Sequence, residues 1–256
     1  SDHITTEEYF FSSNEKNIEP KLFKKREKNI RYSIDSWKDY FYVHTNHEAK
    51  DNKIQKCKVN NIETLEDFIP AKKETIIGEL EFLDDYFIRA EKSNAVQKIF
   101  VRNIKTNEEE ELKISNELIG IPGASMMQKD TSTTKIRVSW ESMATPNKIY
   151  EYDLITKEKK LVKELEIPSG HDPEKYIVER LETKSHDGRM IPITIVKRKD
   201  IKQDGKSKVL LYAYGAYKHS LSPSFSASRF ALIDRGITFA LAHVRGGGDL
   251  GDAWHE

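Results

Sequence analysis

Two kinds of short apolar run recur along this chain with one shared period, and that period constrains the fold more than any other feature. Runs of the first kind place Tyr9 (EEYFFSS), Ile54 (NKIQKCKV), Ile99 (QKIFVRNI) and Ile149 (NKIYEYDL) in register, at spacings of 45, 45 and 50 residues. Runs of the second kind precede the last three: Tyr40-Phe41-Tyr42-Val43, Tyr86-Phe87-Ile88 and Lys135-Ile136-Arg137-Val138, with 46 residues from Tyr40 to Tyr86 and 50 from Tyr86 to Ile136. The runs are short, alternate aromatic with aliphatic residues and are separated by polar turns, with few long stretches of helical period, which reads as a succession of strands. Several strands in a unit of roughly 40 to 50 residues is the pattern of a propeller blade. One four-stranded sheet cannot bury both of its faces, so such units stack around an axis until the ring closes. Between Glu7 and Ile167 there are roughly three and a half units, and closed propellers carry roughly 4 to 8. The remaining blades are therefore expected upstream of Ser1. A sandwich of evenly spaced strands is the alternative, but its strands recur every roughly 8 to 12 residues without a longer period laid over them. The polar stretch Asp153-Leu154-Ile155-Thr156-Lys157-Glu158 is echoed at Asn103-Ile104-Lys105-Thr106-Asn107-Glu108, and both read as the hairpin between the last two strands of a blade.

Composition narrows the partners. Hydrophobic residues make up 37% of the 256 positions and include 11 Tyr and 11 Phe, a mixture that suits a thin-cored β domain better than a helical bundle. Lys plus Arg and Asp plus Glu are equal at 42 each, so no net field draws the chain to nucleic acid or to an anionic membrane. The basic run Lys24-Lys25-Arg26-Glu27-Lys28 reads as a solvated loop or edge. A single cysteine, Cys57, allows no disulfide within the chain and is too few for a structural zinc site, so a reducing, cytoplasmic setting is expected, with no metal and no cofactor. No apolar run approaches the roughly 20 residues that span a bilayer, and Ser1-Asp2-His3-Ile4 has neither a basic leader nor an initiator Met. The sequence is expected to be a piece of a longer product.

The repeat does not continue past the turn-rich segment Pro168-Ser169-Gly170-His171-Asp172-Pro173, and a domain boundary is placed there: 1–168 a partial propeller, 169–256 a second domain. Two strands follow, Tyr176 to Thr183 and Met190 to Arg198, joined by Ser185-His186-Asp187-Gly188-Arg189, whose Asp-Gly pair suits a tight hairpin. After a polar loop with Asp204-Gly205 comes Val209-Leu210-Leu211-Tyr212, expected to be a buried strand. From Ser226 to Arg235 a helix is expected, with Phe230, Leu232 and Ile233 on one face and Gly236 as its stop. The run Ile237 to Val244, apolar on both faces, reads as a strand of a covered parallel sheet. Strand, glycine-bearing loop, helix and strand make one α/β unit.

The motifs Tyr212-Ala213-Tyr214-Gly215-Ala216-Tyr217 and His243-Val244-Arg245-Gly246-Gly247-Gly248-Asp249-Leu250-Gly251-Asp252-Ala253-Trp254-His255-Glu256 resemble the opening of the peptidase domain in the prolyl oligopeptidase family of serine peptidases, the oligopeptidase B branch most of all. Likeness extends upstream through Ser139-Trp140-Glu141-Ser142-Met143-Ala144-Thr145-Pro146 and covers nearly the whole chain. The resemblance implies a β-propeller followed by the N-terminal part of an α/β-hydrolase domain. It also implies that the Tyr214 hydroxyl donates to the oxyanion of a tetrahedral intermediate, whereas the residue pattern alone reads Tyr214 as a core tyrosine. In α/β-hydrolases the loop after the third strand serves the oxyanion hole and the nucleophile sits on a later G-x-S-x-G elbow. Tyr217, Arg245, Gly246, Gly247, Gly248 and Asp249 are then structural residues near the site, with Arg245 and Asp249 pairing locally. His243 reads as a packed strand histidine, because the catalytic one comes last in the order Ser, Asp, His. Ala213 and Lys218 depart from the family pattern, where glycines are expected, and Asp249 replaces a usual glutamate. Ser222 and Ser224 stand in a stretch often acidic in the basic-specific branch, which weakens any preference for a second basic residue.

No G-x-S-x-G occurs. Gly123-Ala124-Ser125-Met126-Met127 comes nearest, but it fails at the last position and lies inside the repeat. By the family pattern, nucleophile, acid and base all lie beyond Glu256. Two readings follow. In one, the chain is part of a serine oligopeptidase acting on short peptides after Lys or Arg, with post-proline cleavage as the rival and the remainder of the polypeptide needed for activity. In the other, it is a non-catalytic remnant or binding fragment.

Overall fold

A computed structural model describes residues 4–14, 16–117, 119–125, 130–202 and 205–255. Ser1 to His3, Met126, Met127, Asp204 and Glu256, which figure in the expectations above, lie outside the described residues. The chain falls into two compact units, Ser1–Ile77 and Gly78–Glu256.

In the first unit, β1 (Tyr9–Phe10) pairs antiparallel with β2 (Lys21–Leu22). Strands β3 (Tyr32–Trp37), β4 (Tyr40–Thr45), β5 (Lys53–Lys58) and β6 (Asn61–Ile69) then form a four-stranded antiparallel sheet in chain order. Alternation along these strands turns Tyr32, Phe41, Val43 and Cys57 inward, where they pack with Phe23 and Phe10. The Phe10 and Phe23 rings meet Phe41 edge to face, at centroid separations of 4.8 and 5.6 Å. Burial pushes the Cys57 thiol above its ordinary pKa, which keeps it a protonated core residue. Lys24 to Lys28 are exposed, as the basic run suggests.

Two more four-stranded sheets follow along the chain. One holds β7 (Thr75–Phe82), β8 (Tyr86–Ser93), β9 (Val96–Asn103) and β10 (Glu109–Glu111); the other holds β11 (Ile121–Ser125), β12 (Lys135–Glu141), β13 (Lys148–Asp153) and β14 (Lys159–Glu164). Each runs in chain order, so in the three antiparallel four-stranded sheets the recurrent runs occupy the second strand (β4, β8, β12) and the third strand (β5, β9, β13), whereas the Tyr9 run lies in β1 of the two-stranded pair. The two echoed hairpins are alike atom for atom. Asn103 Oδ1 accepts from the amides of Lys105 and Thr106 at 2.9 and 3.1 Å, and Asp153 Oδ1 from those of Ile155 and Thr156 at 2.8 and 3.1 Å. The left-handed residue that closes each turn is Asn107 (φ 61°) or Lys157 (φ 63°). Ile88, Ile99 and Val101 of one sheet pack with Ile136, Val138, Trp140 and Tyr152 of the next in one core. Each fully buried large apolar side chain there contributes roughly 1.5–3 kcal/mol.

Sheet type changes after β14. Strands β15 (Tyr176–Lys184), β16 (Met190–Arg198), β17 (Val209–Ala213) and β18 (Thr238–Ala242) form a mixed sheet in the order β15-β16-β18-β17. Strands β15 and β16 are an antiparallel hairpin whose loop closes through Gly188 at φ 87°. Strands β17 and β18 are parallel, from Val209↔Thr238 to Ala213↔Ala242. Their crossover contains a 3-10 turn (Ala227–Arg229) that runs into α1 (Phe230–Ile233), and Gly236 at φ 87° ends it.

Two expectations change. Strand β17 is exposed along its length, with Leu211 62% accessible, because β18 covers one edge and nothing described covers its faces. Leu232 also points outward; the buried helix residues are Phe230 and Ile233, which pack with Tyr176, Val196, Phe239 and Leu241. By contrast β18 is buried at every position, as apolar residues on both of its faces require. Among the described residues no helix is long and apolar enough to cross a membrane.

Candidate functional site

Parallel strands deliver successive loops to the same end of a sheet, and in open α/β sheets that carboxyl end is where ligands bind. Here β17 ends at Ala213 and hands the chain to Tyr214, while β18 ends at Ala242 and hands it to His243. The two loops meet through glycine. Gly246 has φ 89°, and a β-carbon there would overlap the Gly215 carbonyl oxygen; a β-carbon on Gly215 would in turn overlap the Arg245 carbonyl. Only two glycines allow this approach of backbone to backbone.

Hydrogen bonds fix the contact. The Lys218 amide donates to the Gly246 carbonyl at 2.9 Å, the Gly246 amide to the Trp254 carbonyl at 3.0 Å, and the Gly248 amide to Ser220 Oγ at 3.0 Å. Trp254, in α2 (Asp252–His255), is fully buried and its indole N–H donates to the His243 carbonyl at 3.1 Å. Lys218 also pairs with Asp252. Tyr217 and Lys218 are consecutive left-handed residues (φ 54° and 60°), so the backbone at Lys218 adopts the conformation that a glycine would take there without strain.

On this frame the Tyr214 ring is 42% exposed and meets His219 edge to face at 5.8 Å. Among the described residues its hydroxyl makes no hydrogen bond, which leaves it able to donate to a ligand. Tyr214 is therefore not a core tyrosine. Tyr217 is 90% exposed on the same loop. Arg245 and Asp249 do not pair with each other. Arg245 Nη1 binds Asp187 Oδ2 on the β15–β16 hairpin at 2.6 Å, its Nη2 donates to Ser185 Oγ at 3.0 Å, and its guanidinium lies 5.8 Å from the Trp254 ring. The Arg245 hydrogen bond holds the Asp187 carboxyl at about 2.

Asp249 is buried, with Lys92 Nζ 3.1 Å from one carboxylate oxygen and His243 Nδ1 3.6 Å from the other. Burial pushes its carboxyl up, but the facing His243 and the Lys92 ammonium outweigh that and hold it below the ordinary value. His243 Nε2 meets Thr194 Oγ1 at 2.9 Å. Asp249, His243 and Thr194 thus stand in the order of an acid, base and nucleophile. They are not one: Thr194 is wholly buried and already accepts from Arg180 Nη1 at 3.0 Å, so no carbonyl can reach it.

Lys92, Asp187, Arg180 and Thr194 escape sequence reasoning. Asp187 carries a turn signal that accounts for it without a partner, and Lys92 reads as an ordinary strand residue 157 positions from Asp249.

Residues 1–165 match the prolyl oligopeptidase N-terminal β-propeller domain, which makes the first three four-stranded sheets propeller blades. The chain belongs to the prolyl oligopeptidase family. It is 34% identical over 235 residues to dipeptidyl aminopeptidase BI of Pseudoxanthomonas mexicana, covering 90% of this chain and 32% of that protein. Protease 2 of Moraxella lacunata is 24% identical over 253 residues, 98% of this chain and 36% of that one. The structure of oligopeptidase B from Leishmania major superposes with a TM-score of 0.88 at 24% identity, over 99% of this chain and 37% of that chain. The chain spans about a third of the length of the curated relatives it matches.

Proposed function

We propose that residues 1–168 are blades of a propeller and residues 169–256 the opening of an α/β-hydrolase domain in a cytoplasmic serine oligopeptidase that cleaves short peptides after Lys or Arg. The observation that carries this reading is the exposed, unengaged Tyr214 hydroxyl at the carboxyl end of β17, on a loop braced by Gly215 and Gly246. Acyl transfer places negative charge on the former carbonyl oxygen, and a donor already aimed at it lowers the barrier by on the order of 3–4 kcal/mol. A serine nucleophile with its base and acid comes from elsewhere in the same polypeptide, and further strands and helices cover the exposed faces of β17. The preference for basic residues is supported by the likeness of the Ala242-His243-Val244-Arg245-Gly246-Gly247-Gly248 segment to the oligopeptidase B branch.

A second reading rests on the dipeptidyl aminopeptidase relative: removal of dipeptides from a free amino terminus. Post-proline cleavage, as the family name has it, is the third. Blocked Arg, Lys and Pro reporters and their free-amine dipeptide counterparts, offered to the polypeptide that carries this chain, separate them. Blocked Arg and Lys reporters are expected to turn over fastest. Preference for Pro, or turnover of free-amine reporters alone, overturns the assignment. The 256 residues alone are expected to be inactive.

A further inference from the structure

We propose that Asp249 and Lys92 are positioning residues that couple a propeller-blade hairpin to the loop carrying Tyr214. The role of Tyr214 rests on the reading above; the coupling itself does not. Five side chains from four strands and the glycine loop form one chain of polar contacts. Arg180 on β15 donates to Thr194 on β16, Thr194 meets His243 at the end of β18, His243 faces Asp249, and Asp249 holds Lys92 on β8. Thr194 Oγ1 and an Asp249 carboxylate oxygen face the two ring nitrogens of His243, at 2.9 and 3.6 Å.

Main-chain contacts run in parallel. The Ala95 amide donates to the Asp249 carbonyl at 3.0 Å, and Arg180 Nη2 to the Asn94 carbonyl at 3.1 Å. Asn94 and Ala95 are the β8–β9 turn, both left-handed at φ 48° and 55°. Asp249 therefore grips this strained turn with its backbone and Lys92 with its side chain. Its other neighbours lead to the site: Gly248 holds Ser220, and Gly246 holds Lys218 and abuts Gly215, next to Tyr214. A charge held on both sides at 3% exposure is a rigid anchor, since releasing either partner leaves the carboxylate buried without it.

The test is amide hydrogen exchange on Lys92→Met and Asp249→Asn in the full chain. Exchange at Ala95, Lys218, Gly246 and Gly248 is expected to quicken on the order of tenfold, with β12 and β13 unchanged. Loosening confined to Ala95, or uniform loosening of the whole chain, overturns the proposal, as does no change in either variant. Asp249→Glu, which keeps the charge and supplies the family's usual residue, should restore protection. In the active polypeptide Lys92→Met should lower kcat several-fold with KM little changed. If exchange responds and kcat does not, the coupling stands and the role given to Tyr214 fails.

Discussion

Replacing Gly246 with alanine is expected to be among the most damaging single-methyl changes available to this chain, and Gly170 provides its control. Both are left-handed glycines, at φ 89° and 78°. A β-carbon at Gly170 meets nothing within 4 Å, so Gly170→Ala costs only the backbone preference, about 1–2 kcal/mol. At Gly246 the same methyl would overlap the carbonyl of Gly215, a backbone atom that no rotamer change can move aside. The two loops must part, which strains or breaks the Lys218 to Gly246 and Gly246 to Trp254 hydrogen bonds of 2.9 and 3.0 Å. At about 1 kcal/mol for each bond, the total for Gly246→Ala is about 3–4 kcal/mol. The difference between the variants, about 2 kcal/mol, measures the loop contact itself. Urea unfolding of the two variants beside the parent chain reads it directly. Equal destabilisation would refute the reasoning, because it would mean that the glycine is required by φ alone.

Three further outcomes follow from named contacts. The Asp187 carboxyl is held at about 2 by Arg245, so its contribution is present above the ordinary carboxylate pKa of about 3.9 and is lost as pH falls through about 2; a carboxyl NMR titration should show that midpoint, rising towards the ordinary value in Arg245→Met. Arg89 is 1% exposed and binds Glu109 through both terminal nitrogens, at 2.6 and 2.9 Å, and Glu91 through Nε at 2.7 Å. Arg89→Met removes the cation both carboxylates share and should cost about 3–5 kcal/mol in urea unfolding; a loss under 1 kcal/mol would contradict it. Lys218→Gly should be more stable than Lys218→Ala by about 1 kcal/mol, since both lose the Asp252 pair but only alanine keeps a β-carbon at φ 60°.

The blades were legible in the sequence because their signal is periodic. Short apolar runs at a 45- to 50-residue spacing put the second and third strands of the three antiparallel four-stranded sheets in register, and the Asn103 and Asp153 turns announce themselves by side-chain chemistry alone. Strand β18 was legible for a related reason, as a run with apolar residues on both faces has to be covered on both. Strand β17 has the same composition but lies at the edge of the described sheet, and composition cannot report which neighbours a strand receives. At the site, Gly246 and Tyr214 could be named from motif, yet the motif reads Asp249 as a local partner. Its cation is Lys92, on a blade strand far upstream, and a charge pair that distant leaves no local pattern.

In the proposed function the loop after β17 presents the Tyr214 hydroxyl to a developing oxyanion. The most direct test of this role is kcat and KM for Tyr214→Phe in the polypeptide that carries this chain, assayed with a blocked Arg reporter. A fall in kcat on the order of a hundredfold is expected, with KM within about twofold of the parent. An unchanged kcat, or a loss confined to KM, would contradict it.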